Sequence, residues 1–436
     1  MTACLAPIWI LCLSATAVSA QGLTNTAAVG AEMKALTLAE AQQAALSRNW
    51  DLLAAAVGID AATAQKIVSH EFPNPTLSLS STQISVDNQP SSTSAGNGLW
   101  ERNYDTIFAI NQLFEIGGKR RNRQAAAQAG HEGARAQFLE AKRTLDLAVT
   151  KAYVSAAQAQ ENVRVLNESA ATLREEAKLA DVRLRAGEIS ASDKSQIEIT
   201  AERFELEART AEASAAQARV ALEVLLGVPH PKGGVALTDP LDNLVVSLPA
   251  PSTNSSIVWR PDVVAAEAGI RKSEADLRLQ KANRVPDPTV LAQYEHNPPD
   301  LLNTIGIGVS FPLPLWNRNR GNILAAEAAH EQARLAFEKV KAQAAAEVST
   351  AQLAYRDALS RWVSYRDSIR PKSEEVRKTI AYAYQKGGAS LLDLLSTQRN
   401  DNEVRLAAAQ AQSDVIVTTA TLNAATLNIH PTQLSK

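Results

Sequence analysis

The chain has 436 residues, 45% of them hydrophobic, and its 44 basic and 46 acidic side chains nearly cancel. This length allows a large core. The nearly equal numbers of basic and acidic side chains give no support to nucleic-acid binding. Both cysteines, Cys4 and Cys12, lie in the first twenty residues. If that segment is removed on export, disulfides, thiolate metal sites and a cysteine nucleophile are excluded.

The first twenty residues have the pattern of a secretory signal peptide. They contain an apolar run from Leu5 to Leu13 and the small residues Val18-Ser19-Ala20 before a cleavage point at Gln21. A basic n-region is missing, so a buried N-terminal helix is the alternative. Lipid attachment is not expected, because Cys12 follows the large residue Leu11. No other run reaches about eighteen apolar residues, so any membrane crossing by the mature chain requires a closed β-barrel.

The sequence repeats itself once. The segment from Phe72 to Thr76 recurs as Val285 to Thr289, and Gly187 to Asp193 recurs as Gly387 to Asp393. This repetition predicts two structural repeats, 21–227 and 257–436, joined by a connector at 228–256 that is rich in Pro, Gly and Ser. The first repeat has the longer loop within its strand pair, from Asp87 to Asn103.

Each repeat is predicted to contain a helix, two strands, a very long helix and a further helix. A capping-box pattern at Thr37–Glu40 begins a helix that reaches about His70. No proline interrupts the chain from Arg120 to Arg185, which predicts a straight helix about 100 Å long. The matching helix runs from about Asn322 to Lys386, and shorter helices are expected at 192–226, 257–283 and 391–427.

The first long helix carries an apolar stripe with steps of four and three residues. Its members are Leu145, Val149, Ala152, Ala156, Ala159, Val163, Leu166, Ala170, Leu173, Ala177, Ala180 and Leu184. This period predicts a left-handed coiled-coil seam, and its alanines favour close helix packing in a thin wall. A weaker seam is expected through Tyr355, Leu359, Trp362, Ile369, Val376 and Ile380, with interruptions at Arg366 and Ser373.

The strands alternate apolar and small or polar residues, as membrane β-strands do. The clearest run, Thr304 to Leu313, places Ile305, Ile307 and Val309 on one face. A second apolar face comprises Tyr104, Phe108, Ile110 and Phe114, whereas the run from Thr76 to Val86 changes phase near Ser81. Four strands cannot enclose a lumen, so several chains must contribute to one barrel.

Two segments that close the strand pairs carry a family resemblance. They are QLFEIGGKR at 112–120 and FPLPLWNRNRG at 311–321. With the order of elements, they resemble the outer membrane efflux protein family typified by TolC, and in particular its cobalt-zinc-cadmium (Czc-type) heavy-metal branch. The resemblance implies a mainly α fold with a small β part, in which a homotrimer forms a transmembrane β-barrel and a coiled-coil tunnel reaching into the periplasm.

The same resemblance implies a function and partners. The expected protein is the exit duct of a tripartite efflux system in the outer membrane, exporting cations such as cobalt, zinc or cadmium. Its partners would be a membrane-fusion adaptor, an RND inner-membrane pump and outer-membrane lipid. The same channel serving drug efflux or type I secretion is one alternative. A periplasmic coiled-coil scaffold is another, although the apolar strand face at 304–313 argues against it.

The candidate site lies in two turns between helices. Its residues are Arg185, Gly187, Glu188 and Asp193 in the first turn, and Tyr384, Gly387, Gly388 and Asp393 in the second. Glycine can end one helix and serine can cap the next, so an ordinary helical hairpin is the alternative. The resemblance implies a periplasmic gate that also contacts the adaptor, with Asp193 and Tyr384 in interhelical contacts and Asp393 in an acidic ring.

Two departures from the family pattern weaken the expected gate. Ala389 stands where the family's best-known member has an arginine, and Ser396 replaces a second acid. The closed-state lock is therefore in doubt.

No catalytic residue, metal site or cofactor is predicted. The six histidines, at 70, 131, 230, 296, 330 and 430, are scattered and form no His-x-His or His-Glu-x-x-His motif. Five charged residues near the strands could bind lipid headgroups, line the barrel base or simply mark a membrane interface: Glu115, Lys119, Arg120, Arg318 and Arg320.

Overall fold

A computed structural model describes residues 35–84, 104–247, 257–297 and 301–427. The predicted signal peptide, both cysteines and the loop from Asp87 to Asn103 lie outside the described residues. The helices are α1 (Leu38–Arg48), α2 (Trp50–His70), α3 (Lys119–Arg185), α4 (Ala191–Leu225), α5 (Leu241–Ser247), α6 (Pro261–Ala282), α7 (Arg320–Ser364), α8 (Arg370–Gln385) and α9 (Leu391–Ala425). The strands are β1 (Thr76–Thr82), β2 (Asp105–Leu113), β3 (Thr289–Asn297) and β4 (Leu301–Ser310).

The expectation of a mainly helical chain with a small sheet is confirmed. The strands form one antiparallel sheet in the order β1-β2-β3-β4, so β1 and β4 are its edges. Each repeated Pro-x-Pro segment leads directly into the first strand of a pair. β1 ends at Thr82, and Gln83 takes the left-handed conformation, which is where the alternation was expected to fail.

One face of the sheet is apolar across all four strands. The pairing register aligns Leu77 with Ile110, Ile110 with Ala292, and Ala292 with Ile307. The next row aligns Leu79, Phe108, Tyr294 and Ile305. Ile305 and Ile307 are 83% and 82% exposed, so no residue that the structure describes packs on this face.

The first predicted helix is instead two helices, because Asn49 interrupts it. The Asn49 side chain accepts hydrogen bonds from the backbone N–H groups of Asp51 and Leu52 and thereby caps α2. Its Nδ2 donates to the carbonyl of Leu225, 3.0 Å away, which is a contact with the end of α4 that the local sequence does not reveal. The capping box of Thr37 and Glu40 at the start of α1 is present as expected.

The long helix α3 has the predicted extent, and its predicted stripe faces inward. Seven of the twelve stripe residues are buried and the other five are half-buried. At 67 residues, α3 is about 100 Å long. It packs against α2 and α6 near the sheet and against α4 and α9 at the far end.

The second long helix differs from its prediction. A π turn at Tyr365–Ile369 separates α7 from α8, just before Pro371. Such a turn inserts one residue into the helical repeat, so the predicted seam loses its phase. Ile369 and Val376 are exposed, whereas the expected interruption, Ser373, is buried and donates to Asp401 Oδ1 at 2.9 Å.

The helices form a layer that continues the sheet. Near the sheet the order is α2, α3, α6, α7, and at the far end it is α4, α3, α9, α8. The largest core cluster lies at the middle, where Leu38, Val149, Leu222, Leu244 and Ile416 are all buried together. The middle also holds part of the connector, because a parallel bridge joins Leu36 to Leu237 and α5 contacts α9.

Among the described helices, α2 is long and apolar enough to span a membrane by composition alone. The expectation from the sequence used a different criterion, about eighteen consecutive apolar residues, which α2 does not meet. α2 carries Asp51, Asp60 and Lys66 and packs lengthwise on α3.

Candidate functional site

The two predicted turns lie at the end of the helical layer remote from the sheet, and they share one backbone design. Gly187 and Gly387 both have φ of 76°, which L-residues with a side chain rarely adopt. The N–H of Glu188 donates to Arg183 O at 2.9 Å, and the N–H of Gly388 donates to Ala383 O at 2.8 Å. These bonds close the C-termini of α3 and α8.

A capping box begins the helix after each turn. Ser190 Oγ accepts from the N–H of Asp193 at 3.1 Å, and Asp193 Oδ2 accepts from the N–H of Ser190 at 3.2 Å. Ser390 and Asp393 form the same pair of bonds, and the Ser390 hydroxyl also donates to Asp393 Oδ2 at 2.6 Å. Asp193 and Asp393 therefore have a structural role in the single chain.

The capping bonds also affect the charge of Asp393. The side-chain and backbone hydrogen bonds from Ser390 lower the pKa of the Asp393 carboxyl below its ordinary value. Because hydrogen bonds to the ionised form stabilise it, the exposed carboxylate keeps its negative charge into mildly acidic conditions. Ser396 does not bond to the Asp393 carboxylate, because its hydroxyl donates to the backbone carbonyl of Asp393 at 3.1 Å.

An ion-pair cluster strengthens the first turn. Asp181 on α3 pairs with Lys194 on α4 at 2.8 Å and with Arg185 at 2.5 Å. The hydrogen bond from Lys194, together with both positive charges, lowers the pKa of Asp181, and the same bond raises the pKa of Lys194. Sequence reasoning missed Asp181 and Lys194, although their nearly symmetric placement about Gly187 was a usable signal.

One contact brings the two turns together. The guanidinium of Arg183 lies over the ring of Tyr384, 5.2 Å from its centroid, a cation–π contact between the ends of α3 and α8. Tyr384 was selected from the sequence and Arg183 was not, because the pair is separated by half the chain. The side chain of Glu188 is exposed and forms no ion pair with any residue that the structure describes.

A second polar cluster lies between the turns and the middle of the molecule. A cavity of about 250 Å³ is lined by Arg164, Glu168, Arg370, Glu374, Arg377, Asp401 and Arg405. Asp401 is only 4% exposed and pairs with Arg377 at 3.1 Å. Burial opposes ionisation of Glu168, but the hydrogen bond from Arg405 and the charges of Arg164 and Arg405 outweigh it and lower the pKa of Glu168.

This cluster joins three helices rather than forming a metal site. Ser169 on α3 donates to Asn402 Oδ1 on α9 at 3.0 Å, and Ser373 joins α8 to the same helix through Asp401. Within the described parts of the chain, no three His, Cys, Asp or Glu side chains are placed to hold a metal ion. The sequence did not reveal the cluster, because its members are isolated polar residues on different helices.

A family model described as outer membrane efflux protein matches residues 41–228 and 254–426. The chain belongs to this family. The expected resemblance is thereby confirmed: the chain is an outer-membrane efflux protein, and the alternative of a soluble periplasmic scaffold is excluded. Its relatives in this family are outer-membrane efflux channels, which are not enzymes.

Relatives in this family include heavy-metal resistance proteins. The chain is 27% identical over 374 residues to the cobalt-zinc-cadmium resistance protein CzcC of Cupriavidus metallidurans, covering 85% of each chain. It is 26% identical to the nickel and cobalt resistance protein CnrC of the same organism, covering 70% of this chain and 71% of that protein. A crystal structure of CusC shares its fold with a TM-score of 0.73 at 20% identity, covering 89% of this chain and 91% of that one.

Proposed function

We propose that three copies of the chain close into an outer-membrane exit duct for heavy-metal cations. The duct works with a periplasmic membrane-fusion adaptor and an RND inner-membrane pump. The observation that carries this proposal is the sheet, which has one exposed apolar face and two unpaired edge strands. Its apolar face needs lipid, and its edges β1 and β4 leave backbone groups that another strand must pair.

The helical layer has open edges on the same two sides as the sheet. An exposed apolar stripe with steps of three and four follows α2 through Trp50, Leu53, Val57, Ala61, Ala64 and Val68. A second exposed stripe follows α7 through Leu324, Ala328, Leu335, Ala342, Ala346 and Leu353. Both patterns suit helix packing across a seam. A ring in which α2 and β1 of one copy contact α7 and β4 of the next would bury both stripes and pair both strand edges together.

Assembly can be tested by membrane fractionation and by sizing the detergent-extracted protein before and after heating. We expect an outer-membrane trimer that dissociates only on heating. A protein that stays monomeric in mild detergent would contradict the ring.

The cargo is argued from the relatives, whose names refer to cobalt, zinc, cadmium and nickel. The test is growth of a strain lacking this gene on graded zinc, cobalt, nickel, cadmium and copper, with drugs tested in parallel. We expect sensitivity to one or more divalent cations, restored by the intact gene. Sensitivity to drugs alone would favour the same duct serving a drug pump.

We also propose that the two turns form the periplasmic gate and contact the adaptor. The residues are Arg185, Gly187, Glu188, Asp193, Tyr384, Gly387, Gly388 and Asp393. Three-fold symmetry would place three Asp393 carboxylates around one axis, where their shared field attracts cations.

Single-channel recordings of Asp393→Asn can test this assignment. We expect the selectivity for potassium over chloride to fall, because the ring loses its charge. Asp193→Asn is the matched control, since Asp193 has the same capping role in the other turn and is not assigned to the ring. Equal changes in both variants would mean that the lost cap, rather than the charge, alters the pore.

A further inference from the structure

The segments that join the helices to the sheet form a collar at one end of the sheet. We define the collar as residues 71–75, 114–123, 283–288 and 311–320. β1 and β3 begin where β2 and β4 end, as the pairs Thr76 with Asn111 and Thr289 with Ser310 show. All four segments therefore lie at the same end of the sheet. The collar is therefore one surface, built from both repeats.

The collar exposes large apolar side chains, of which Phe72 is partly covered by the guanidinium of Arg120, 3.6 Å from its ring centroid. They are Phe72, Phe114, Ile116, Phe311, Leu313, Leu315 and Trp316. Trp316 is 93% exposed, more than any other large hydrophobic residue that the structure describes. Phe311, Leu313 and Leu315 continue the sequence alternation of Ile305, Ile307 and Val309 beyond the end of β4, and Trp316 follows directly.

The collar is also strongly basic. It contains seven lysines and arginines against three carboxylates. Two of the carboxylates are neutralised within it, because Asp287 pairs with Lys119 at 2.7 Å and Glu115 pairs with Arg123. Arg318 and Arg320 are exposed, and neither forms an ion pair with any described residue.

The position of Trp316 is set by its rigid surroundings. Pro312 and Pro314 restrict the chain before it, and Leu315 N–H donates to Leu313 O at 2.8 Å. After it, Asn319 takes the left-handed conformation, and its Nδ2 donates to Gln280 O at 2.8 Å, which fixes the start of α7. The order along this segment is thus an apolar face, then an indole, then two free guanidinium groups.

We propose that residues 311–320 form an interfacial anchor for the phospholipid leaflet on the periplasmic side. Phe311 and Leu313 contact acyl chains, Trp316 lies at the headgroup boundary, and Arg318 and Arg320 bind lipid phosphates. Trp is favoured at that depth because its ring is amphipathic, and cations are favoured just outside it. This inference rests on the proposed insertion of the sheet into the membrane. A neighbouring copy is a less suitable occupant, because strand pairing uses the sheet edges and leaves this face open.

The test is fluorescence quenching by brominated lipid. The chain has six tryptophans, at positions 9, 50, 100, 259, 316 and 362. One variant keeps only Trp316, a second keeps only Trp362 on α7, and a third lacks all six but carries Ile307→Trp, with Phe at the other positions. Each trimer is reconstituted into phosphatidylethanolamine–phosphatidylglycerol vesicles with plain or dibrominated acyl chains.

We expect brominated lipid to quench Trp316 and the tryptophan at position 307 and to leave Trp362 unchanged. If position 307 is quenched and Trp316 is not, the sheet is in the membrane and the anchor is wrong. If neither is quenched, the inserted sheet and the anchor both fail. A Trp316 emission that is blue-shifted already in detergent and insensitive to bromine would identify a neighbouring copy as its cover.

Phosphate binding has a separate readout. Arg318→Gln with Arg320→Gln, in the variant that keeps only Trp316, should reduce the dependence of Trp316 quenching on the phosphatidylglycerol fraction. The matched control is Arg334→Gln with Arg361→Gln, which removes two cations from the helical part of α7. Equal effects of the two double variants would overturn the role of the collar arginines.

Discussion

A single buried carboxylate holds the segment after α4 against the helical layer. Glu223 is only 4% exposed, and its oxygens accept from the N–H groups of Lys232, Gly233 and Val235 at 2.6, 2.8 and 3.0 Å. Burial opposes ionisation, but these backbone hydrogen bonds outweigh it and lower the pKa of Glu223. The segment following α4 is therefore held by the Glu223 carboxylate, together with Arg219, whose Nε donates to Gly233 O at 2.9 Å.

Glu223→Gln should destabilise the protein at neutral pH by about 2 kcal/mol, because the amide NH₂ faces backbone donors that it cannot accept from. A lowered pKa stabilises the folded state above the ordinary glutamate pKa of about 4.3, and this contribution is lost as the pH falls through the folded-state pKa. Thermal unfolding followed by circular dichroism should show a lower Tm for the variant at pH 7 and a smaller difference near pH 3.

Glu212→Gln on the exposed side of the same helix is the control and should leave Tm almost unchanged. If the Tm of Glu223→Gln is lower than that of the wild type by the same amount at every pH, the charge of Glu223 does not cause the loss of stability.

At the scale of elements, backbone conformation rather than steric crowding explains why glycine is needed in the second turn. A Cβ at Gly387 would meet no atom within 4 Å, yet its φ of 76° disfavours any other residue. Gly388 does not have positive φ, and a Cβ there would make only an ordinary contact with Ala383 O at 3.7 Å.

Gly387→Ala should weaken the second turn by about 1 kcal/mol, because the left-handed conformation is strained for alanine. The expected result is faster tryptic cleavage after Lys386 in the folded trimer. Gly388→Ala is the neighbouring control and should be cleaved at the wild-type rate. Equal cleavage of the two variants would show that the left-handed conformation does not limit local opening.

Sequence periodicity predicted the elements well where one helix has one continuous partner face. The stripe of α3 is such a case, because its register is unbroken over more than ten turns. Sequence periodicity failed along α7 and α8, because the π turn changes the phase of the helical repeat. Ser373 then meets a partner, Asp401, that lies 28 residues away on another helix. The break at Asn49 likewise depends on a contact with α4 as well as on local capping.

At the scale of the whole molecule, the open edges of the sheet and of the helical layer are the surfaces that the proposed trimer would close. The stripe on α2 is apolar and exposed in the single chain, so a charge placed on it should leave the fold of one chain intact and disrupt only the contact between copies. In the proposed trimer, the sheet edges and the α7 stripe would close the same ring.

Val57→Lys should convert the detergent-extracted trimer into smaller species with an unchanged far-ultraviolet circular dichroism spectrum, measured by size exclusion with light scattering. Thr63→Lys, which is exposed on α2 but off the stripe, should remain trimeric. A stable Val57→Lys trimer would exclude α2 from the contact between copies.

The sequence by itself determined the order of the helices and strands and the two turns, but not the breaks at Asn49 and Tyr365–Ile369. Helix periodicity, strand alternation and glycine or serine at helix ends are local properties. The sequence also placed Gly187, Gly387, Asp193 and Asp393 in those turns. Only the tertiary structure brought Arg183 to Tyr384, Asp181 to Lys194 and the polar cluster around Asp401 together. These contacts join residues on different helices, and no local pattern records which helix becomes the neighbour.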